Sequence, residues 1–370
     1  MKNPYELARD ILISADADSP DTQTLYANNV NERTLDINSM GKQSNIKKQK
    51  SDASSSSFTS IDLYGSAVLE KGENNNSSSF HLENESGVGD ITLYQVFPGI
   101  ELVYNDMHME YCNKEQKPAG SVMEINYCKE GRCECLFGEN QYCYMSAGDL
   151  SFCSLQDNSH QSEFPTSHYH GVTVTIDFSG ITDEMKNVLE LLSVDLARIK
   201  ELSAMQEFTI IRADKTIDHI FSELYTVPAN IRQGYIRVKV LELLLILTEL
   251  DTSQDSGKRV HFPQIQIEAV KQIHAFLVEH FSEHYTIEQL SERFEISPTV
   301  MKKCFKGVYG DSIYSYMKMY RLQVAERLLR ESRLNVGEIA AQIGYLNPNK
   351  FTSAFTDAYG MTPTAYRKKV

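Results

Sequence analysis

Positively charged and hydrogen-bonding side chains are concentrated on a short segment between Ser297 and Gly310. With helical spacing, the polar face of this segment carries Thr299, Lys302, Lys303 and Lys306. A lysine ammonium can donate to O6 and N7 of guanine, and a threonine methyl group can contact the methyl group of thymine. The same lysines can bind phosphates, because most hydrogen bonds between proteins and DNA go to the backbone. This chemistry predicts contact with DNA, with a solvated surface as the alternative for any single residue.

A second polar segment lies closer to the C-terminus and carries Asn349, Lys350 and Ser353. An asparagine amide can pair with N6 and N7 of adenine, so the chemistry available here is again that of reading base edges. The two segments are therefore predicted to bind the same kind of partner.

Helix signals explain how these side chains are positioned. Thr286 is a good N-cap, and Gln289 stands three residues later, which is the pattern of a capping box. Ser297 caps the next helix, with Pro298 at a position where no backbone N–H is needed. Two short helices joined by a turn of three or four residues are the signature of a helix-turn-helix motif.

The same arrangement recurs further along the chain, where Asn335 is an N-cap with Glu338 three residues later. Matching residues lie 50 positions apart in the two copies: Phe305 and Phe355, and Gly310 and Gly360. This spacing indicates an internal duplication. The residues between the copies, 312–332, are predicted to form one long amphipathic helix.

The C-terminal sequence IAAQIGYLNPNKFTSAFTDAYGMTPTAYRK resembles the signature of the AraC/XylS family of bacterial transcription regulators. The residues that carry this resemblance are Ile339, Ala340, Gly344, Tyr345, Phe351, Phe355, Gly360, Thr362, Pro363, Tyr366 and Arg367. The first motif fits the upstream half of the pattern through Ser297, Met301, Lys303, Phe305, Lys306 and Gly310. The match is specific because it needs two motifs, a linking helix and a terminal TP-x-x-YR in this order.

The resemblance implies an all-α C-terminal domain in which the second helix of each motif faces the major groove of double-stranded DNA. By matched position, the residues implied to face DNA are Thr299, Lys302, Lys303, Lys306, Asn349, Lys350 and Ser353. The linking helix would hold the two reading helices about one DNA turn apart, roughly 34 Å, on one face of the duplex. One chain would then contact two successive major grooves.

Two departures from the family pattern weaken the second motif. Phe355 is followed by Thr356 and Asp357, where the family usually has two lysines that contact phosphate. The family also often has Ser-Tyr before the residue that corresponds to Phe351, where this chain has Asn349-Lys350. We therefore expect the first motif to supply more of the affinity for DNA.

The net charge of -14 argues against nucleic-acid binding only if it is averaged over the whole chain. Residues 261–370 hold 14 Lys and Arg against 11 Asp and Glu, whereas residues 1–260 hold 22 against 39. From Ser297 onward the balance is 12 against 5, so positive charge is concentrated in the predicted reading unit.

The chain as a whole is predicted to be an α+β multidomain protein. Residues 1–88 are rich in Ser and Asn and are predicted to be a disordered extension. Alternating Val, Ile, Tyr and Phe over 89–180 indicate an antiparallel β unit, which resembles the cupin-like barrel of the family's effector domains. Helical periodicity over 181–250 matches the family's dimerisation segment, and 251–263 is predicted to be a linker before 264–370.

The resemblance also implies a small-molecule effector in the barrel. The candidate effector-binding residues are Tyr127, Arg132, Glu134, Tyr142, Tyr144 and His160, whose polar groups alternate along predicted strands. A surface position is the alternative for each of them. The predicted function is an effector-responsive, sequence-specific DNA-binding transcription regulator that is not an enzyme, acts as a homodimer and could contact RNA polymerase.

Three alternatives concern the β unit. A metal-dependent cupin enzyme needs an H-x-H motif, where this chain has Asn126-Tyr127-Cys128, so no metal and no cofactor are expected. Metal sensing could instead use His168 and His170 with His160 and Glu163, and Cys133 and Cys135 could add thiolate ligands. Redox sensing could use the cysteines of the barrel. A third alternative is a scaffold whose Ser/Asn-rich tail recruits partners.

The location predicted from the sequence is the bacterial cytoplasm. The chain opens with MKNPYELARD, which lacks the pattern of a secretory signal. The longest apolar run, residues 241–247, is too short to cross a bilayer. The seven cysteines do not have the paired spacing of a zinc finger and are expected to be reduced thiols.

Overall fold

A computed structural model describes residues 58–74, 77–118, 120–137, 141–155, 161–204, 209–250 and 261–369. Within these ranges, the strands are β1 (Val68–Asn74), β2 (Ser77–Asn84), β3 (Gly87–Phe97), β4 (Ile100–His108), β5 (Tyr111–Asn113), β6 (Val122–Gly131), β7 (Cys133–Phe137), β8 (Gln141–Met145), β9 (Leu150–Ser154), β10 (Gln161–Glu163), β11 (Tyr169–Asp177), β12 (Thr209–Ile211) and β13 (Phe262–Pro263). No helix in these ranges is both long and apolar enough to cross a bilayer.

The strands form two antiparallel sheets. The larger sheet has eight strands in the order β1-β2-β3-β4-β11-β6-β9-β12, and the smaller has five in the order β13-β8-β7-β10-β5. The antiparallel β unit predicted from the alternating pattern is therefore present, but the two sheets do not close into the predicted barrel. Closure depends on pairing between strands far apart in the sequence, and local alternation does not specify that pairing.

The predicted boundary between extension and β unit at residue 88 is wrong. A 3-10 helix (Ser60–Ala67), β1 and β2 precede it, and β2 pairs with β3 along its length. The β2 sequence SSSFHLEN is polar on average, yet Phe80 and Leu82 alternate with polar residues and are buried. The Ser/Asn-rich composition concealed this period-2 pattern. The remainder of the predicted extension, residues 1–57, lies outside the described residues.

The linker predicted over 251–263 also ends earlier than expected. Phe262 and Pro263 form β13, which pairs with Tyr142 and Gln141 of β8. The hairpin predicted around residues 138–140 is confirmed by the pairing of β7 with β8, from Cys133 opposite Met145 to Phe137 opposite Gln141. Both results place the β7–β8 hairpin next to the start of the C-terminal unit.

The helices, as far as the structure describes them, are α1 (Asp183–Leu191), α2 (Leu196–Ala204), α3 (Lys215–Leu224), α4 (Arg232–Thr248), α5 (Gln264–Glu279), α6 (Ile287–Arg293), α7 (Pro298–Tyr309), α8 (Ile313–Glu331), α9 (Val336–Gln342), α10 (Pro348–Tyr359) and α11 (Pro363–Lys369). Helices α1–α4 cover one face of the large sheet, where Leu243 and Leu244 of α4 join a core with Ile100 and Leu102 of β4. One face of the leucine-rich helix α4 is thus buried against its own chain, whereas Val238 and Leu245 of the same helix are exposed.

Candidate nucleic-acid interface

The first helix-turn-helix motif consists of α6 and α7. The Thr286 side chain accepts from the backbone N–H of Gln289 (3.2 Å), and Gln289 Oε1 accepts from the N–H of Thr286 (2.8 Å), so the capping box is confirmed. Met301 and Phe305 are fully buried. The opposite face of α7 exposes the four residues predicted for DNA contact: Thr299, Lys302, Lys303 and Lys306. Burial of the apolar stripe therefore turns these side chains toward solvent.

The second motif consists of α9 and α10 and repeats this construction. Asn335 and Glu338 cap each other at 2.7 and 2.9 Å. Gly344 turns the chain with φ of 85°, and a Cβ there would lie 2.1 Å from the carbonyl oxygen of Ser282. Asn347 caps α10 at the backbone N–H of Asn349 (2.9 Å). The residues predicted for DNA contact, Asn349, Lys350 and Ser353, are all exposed.

An exposed apolar residue beside α10 was not identified from the sequence. Leu346 lies in the turn between α9 and α10 and is fully exposed, at 102%. Its signal in the sequence is an isolated leucine in a polar turn.

The linking helix α8 holds the second motif through a buried carboxylate. Glu326 is 0% exposed, and its Oε1 accepts from Arg330 (2.6 Å) and from the hydroxyl of Tyr366 (2.7 Å). Arg367 donates from Nε to the carbonyl of Leu329 (3.2 Å), so α11 is fixed to α8 at two places. These hydrogen bonds give Tyr366 and Arg367, the terminal Tyr-Arg pair of the family pattern, a structural role in holding α11 against α8.

The surface of α10 in the second motif carries less positive charge than the surface of α7 in the first. The Thr356 hydroxyl donates to the carbonyl of Thr352 (2.7 Å), so its polar group is used within the helix. Asp357 is exposed and negatively charged, whereas Lys306 is exposed on the first reading helix. A phosphate near Asp357 would be repelled.

His274 on α5 makes the stability of this region sensitive to acid. The ring stacks on Tyr309 and lies 2.7 Å from the hydroxyl of Tyr316, and burial lowers its pKa to about 4. The pKa of His274 is lower in the folded chain than in the unfolded chain. The stability that comes from keeping this ring neutral is therefore fully present above the pKa of the unfolded chain, and it is lost as the pH falls toward the pKa of the folded chain. Between pH 8 and pH 5 we expect the free energy of unfolding to fall by about 2 kcal/mol from this group.

Urea unfolding at pH 8 and pH 5 measures this effect. The His274→Gln variant is the control, because it cannot titrate and should lose much less stability over the same interval. Equal losses in the variant and the original chain would contradict the assignment to His274.

The candidate effector residues lie in three different places. Tyr127 faces the helices, where its ring stacks on Phe221 (4.4 Å between centroids) and its hydroxyl donates to Asp218 (2.5 Å). Arg132, Tyr142 and Tyr144 lie at the contact with the C-terminal unit. His160 lies outside the described residues. Of the described candidates, Glu134 lines the cavity between the sheets.

We call the contact between the β7–β8 hairpin and helices α5 and α7 the junction. Arg132 donates to the carbonyl of Gly307 on α7, and Lys271 of α5 binds Glu134 (3.0 Å) and Glu163 (2.6 Å). A Cβ on Gly307 would lie 2.3 Å from the ring of Phe262, so the close approach requires glycine. The Tyr144 hydroxyl donates to Glu134 at the same place. The β unit is therefore attached to the first reading helix.

The cavity between the sheets has a volume of about 60 Å³, and both polar and apolar side chains line it. Lys114 and Glu124 form a buried ion pair at 2.7 Å, and Thr173 bridges Asn105 (2.9 Å) and Asn126 (2.7 Å). Glu124 and Asn126 share one face of β6 through period-2 alternation, and this signal was available in the sequence. Lys114 follows β5, and no local pattern predicted its position.

The residues considered for metal or redox sensing separate into distinct groups. His168 and His170 meet His108, whereas Glu163 pairs with Lys271. All seven cysteines are free thiols. Burial raises the pKa of Cys112 to about 11 and holds that of Cys135 well above its usual value, so these two thiols stay protonated and suit a core role better than redox sensing.

Comparison with known proteins agrees with the geometry of the C-terminal unit. A family model described as a helix-turn-helix domain matches residues 290–369. The chain is 25% identical over 123 residues to the HTH-type transcriptional regulator AlkR of Acinetobacter baylyi, covering 33% of this chain and 39% of AlkR. It is 34% identical over 94 residues to the transcriptional activator RhaR of Cronobacter sakazakii, covering 25% of this chain and 30% of RhaR.

Among solved structures, a probable AraC family transcriptional regulator from Rhodopseudomonas palustris is 27% identical, with a TM-score of 0.26, and covers 28% of this chain and 96% of that chain. The chain spans between 30% and 39% of the length of the two curated relatives above, so the likeness concerns one domain. The matching range begins within α6 and contains α7, the linking helix and the whole second motif. Residues 290–369 therefore form a helix-turn-helix domain.

Proposed function

We propose that this protein is a sequence-specific DNA-binding transcription regulator of the AraC type, without enzymatic activity, that acts in the bacterial cytoplasm. The observation that carries the proposal is the pair of capped helix-turn-helix motifs, each with its polar reading face exposed. Lysines on α7 and amides on α10 supply the donors that base edges and phosphates accept. RNA polymerase would be its partner at a promoter.

The proposed DNA complex has α7 and α10 in two successive major grooves. The residues proposed to contact DNA are Thr299, Lys302, Lys303, Lys306, Asn349, Lys350 and Ser353. Selection of binding sites from random duplex DNA by the full chain tests the proposal directly. Enrichment of a defined sequence is expected, and binding that is equal for every sequence would contradict it.

For the sensing half, we propose that a small polar effector binds in the cavity and acts through Glu134. This residue lines the cavity and binds Lys271 of α5, so a ligand that displaces its carboxylate would loosen the junction. Loosening would free α7 to take a different arrangement relative to the β unit, which is a shift between two states of the chain. A thermal-shift screen of metabolites tests this part, which fails if no compound shifts the unfolding temperature.

We also propose that helices α1–α4 mediate dimerisation. Large apolar side chains on this segment are exposed, with Leu191 at 83% and Val238 at 60%. Exposed apolar residues of this size favour contact with another protein surface. Sedimentation of the full chain against the double variant Leu191→Glu, Val238→Glu tests the proposal: a dimer that becomes a monomer is expected.

The missing cations of the second motif lead to a prediction of increased affinity. Asp357→Lys replaces an exposed negative charge on α10 with a cation that can bind phosphate. One added phosphate contact makes the slope of log K against log salt steeper by about 0.9. We therefore expect tighter binding at low salt, with an advantage that shrinks as salt rises.

Fluorescence anisotropy over a salt series measures this change. Glu190→Lys on α1 is the matched control, because it makes the same change in charge on an exposed residue far along the chain from the reading helices. An equal steepening in both variants would show a general effect of net charge and contradict the specific role of position 357.

A further inference from the structure

Three histidines meet at one end of the large sheet, on the face that helices α1–α4 cover. His108 ends β4 and His170 is the second residue of β11, on the same face of these strands as Leu102 and Val172. His168 immediately precedes β11. One ring nitrogen from each of the three lies within 4.8 Å of the other two. This cluster is on the opposite face of the sheet from the cavity.

A carboxylate fixes the orientation of two of these rings. Asp106 Oδ1 lies 2.7 Å from His108 Nε2 and 2.5 Å from His170 Nε2, so both rings can donate to one oxygen. Donation from Nε2 leaves the Nδ1 lone pair of each ring available. A histidine that binds a metal commonly donates its other nitrogen to a carboxylate in this way.

The spacing of two ring nitrogens in the cluster suits a metal ion. Nδ1 of His108 and Nδ1 of His168 are 3.5 Å apart. Two nitrogens each about 2.0–2.1 Å from a tetrahedral metal ion lie roughly 3.4 Å apart. Glu130 stands at the rim, 3.7 Å from His168 Nε2, and adds negative charge. His108 is buried, whereas Asp106 and Glu130 are partly exposed, so an ion could enter from solvent.

We propose that His108, His168 and His170 form a binding site for one divalent transition-metal ion of the zinc class, with Asp106 as a positioning residue. Imidazole nitrogens favour Zn²⁺, Co²⁺ and Ni²⁺ over Mg²⁺ and Ca²⁺. The sequence predicted no metal because β6 lacks an H-x-H motif. Such a motif would lie on the face of the sheet that meets the cavity, whereas the three histidines lie on the opposite face. The site uses neither His160 nor Glu163.

Calorimetric titration of the untagged, chelator-treated full chain with Zn²⁺ tests this proposal. One ion per chain is expected, and Co²⁺ in its place should give the visible absorption of a tetrahedral complex. His168→Gln should abolish stoichiometric binding. Asp106→Asn should weaken it by about 10–100-fold, the usual effect of losing a carboxylate that orients a ligand.

His81→Ala is the matched control, because His81 also lies on the large sheet and contacts one carboxylate, Asp90, at 2.9 Å. This variant should bind Zn²⁺ as the original chain does. The unfolding temperature in chelator shows whether His168→Gln is folded. A rise in that temperature with Zn²⁺ is expected for the original chain and for His81→Ala, but not for His168→Gln. Absence of stoichiometric binding to the original chain, or equal binding by His168→Gln, would overturn the proposal.

Discussion

Replacing Phe355 with alanine is expected to lower the free energy of unfolding by about 3–5 kcal/mol, the usual cost of removing a fully buried phenylalanine. Phe355 is 0% exposed, and its ring contacts three other aromatic rings of the second motif. The distances between ring centroids are 5.7 Å to Phe351, 4.4 Å to Tyr359 and 5.6 Å to Tyr366. These contacts hold α10 and α11 together, so the variant should also lose specific DNA binding.

Urea unfolding followed by tyrosine fluorescence measures this loss, because the chain has 20 tyrosines and no tryptophan. Asp357→Ala on the same helix is the control, and an exposed substitution of this kind should change stability by less than about 0.5 kcal/mol. Phe305→Ala should behave like Phe355→Ala, since Phe305 is the equivalent residue of the first motif and is equally buried. A loss below about 1 kcal/mol at Phe355 would contradict a closed core in the second motif.

Replacing Lys303 with alanine is expected to weaken binding to the selected DNA sequence by about 1–3 kcal/mol, if its ammonium donates to a guanine. That energy corresponds to roughly 5- to 150-fold in the dissociation constant. Preference at one base pair should relax at the same time. Lys303 is exposed on α7, and no hydrogen bond or ion pair within the described residues was found for it, so its ammonium is available to DNA.

Anisotropy titrations with the selected sequence and with variants at each base pair measure both effects. Lys186→Ala on α1 removes the same charge from an exposed position in the N-terminal part and should leave the affinity nearly unchanged. Uniform weakening on every sequence, with a salt slope lower by about 0.9, would show that Lys303 binds phosphate instead of a base.

The C-terminal unit could be predicted because its signals are local. Each capping box lies within four residues, and the buried stripe of each helix repeats every three or four residues. Thr286 with Gln289, and Asn335 with Glu338, are therefore readable in the sequence and recur as hydrogen bonds in the structure. The exposed faces of α7 and α10 follow from the burial of the opposite faces.

The N-terminal part was less predictable because its structure depends on distant pairing. Alternation identified the strands of the β unit, but the face of a strand that meets the cavity is set by what packs on each side. Tyr127 consequently stacks on Phe221, whereas its neighbour Asn126 lines the cavity. Likewise, Arg132 binds Gly307, a residue 175 positions later, through a contact that no local pattern encodes.

Hydroxyl-radical footprinting of the full chain on its selected DNA sequence tests most directly whether one chain reads two successive major grooves through α7 and α10. Two protected segments about 10–10.5 base pairs apart are expected for each chain bound. Lys302→Ala with Lys303→Ala should weaken both protections, whereas Lys350→Ala should weaken mainly one. A single protected segment, or protection that is unaffected by the α7 variant, would contradict the reading of two grooves by one chain.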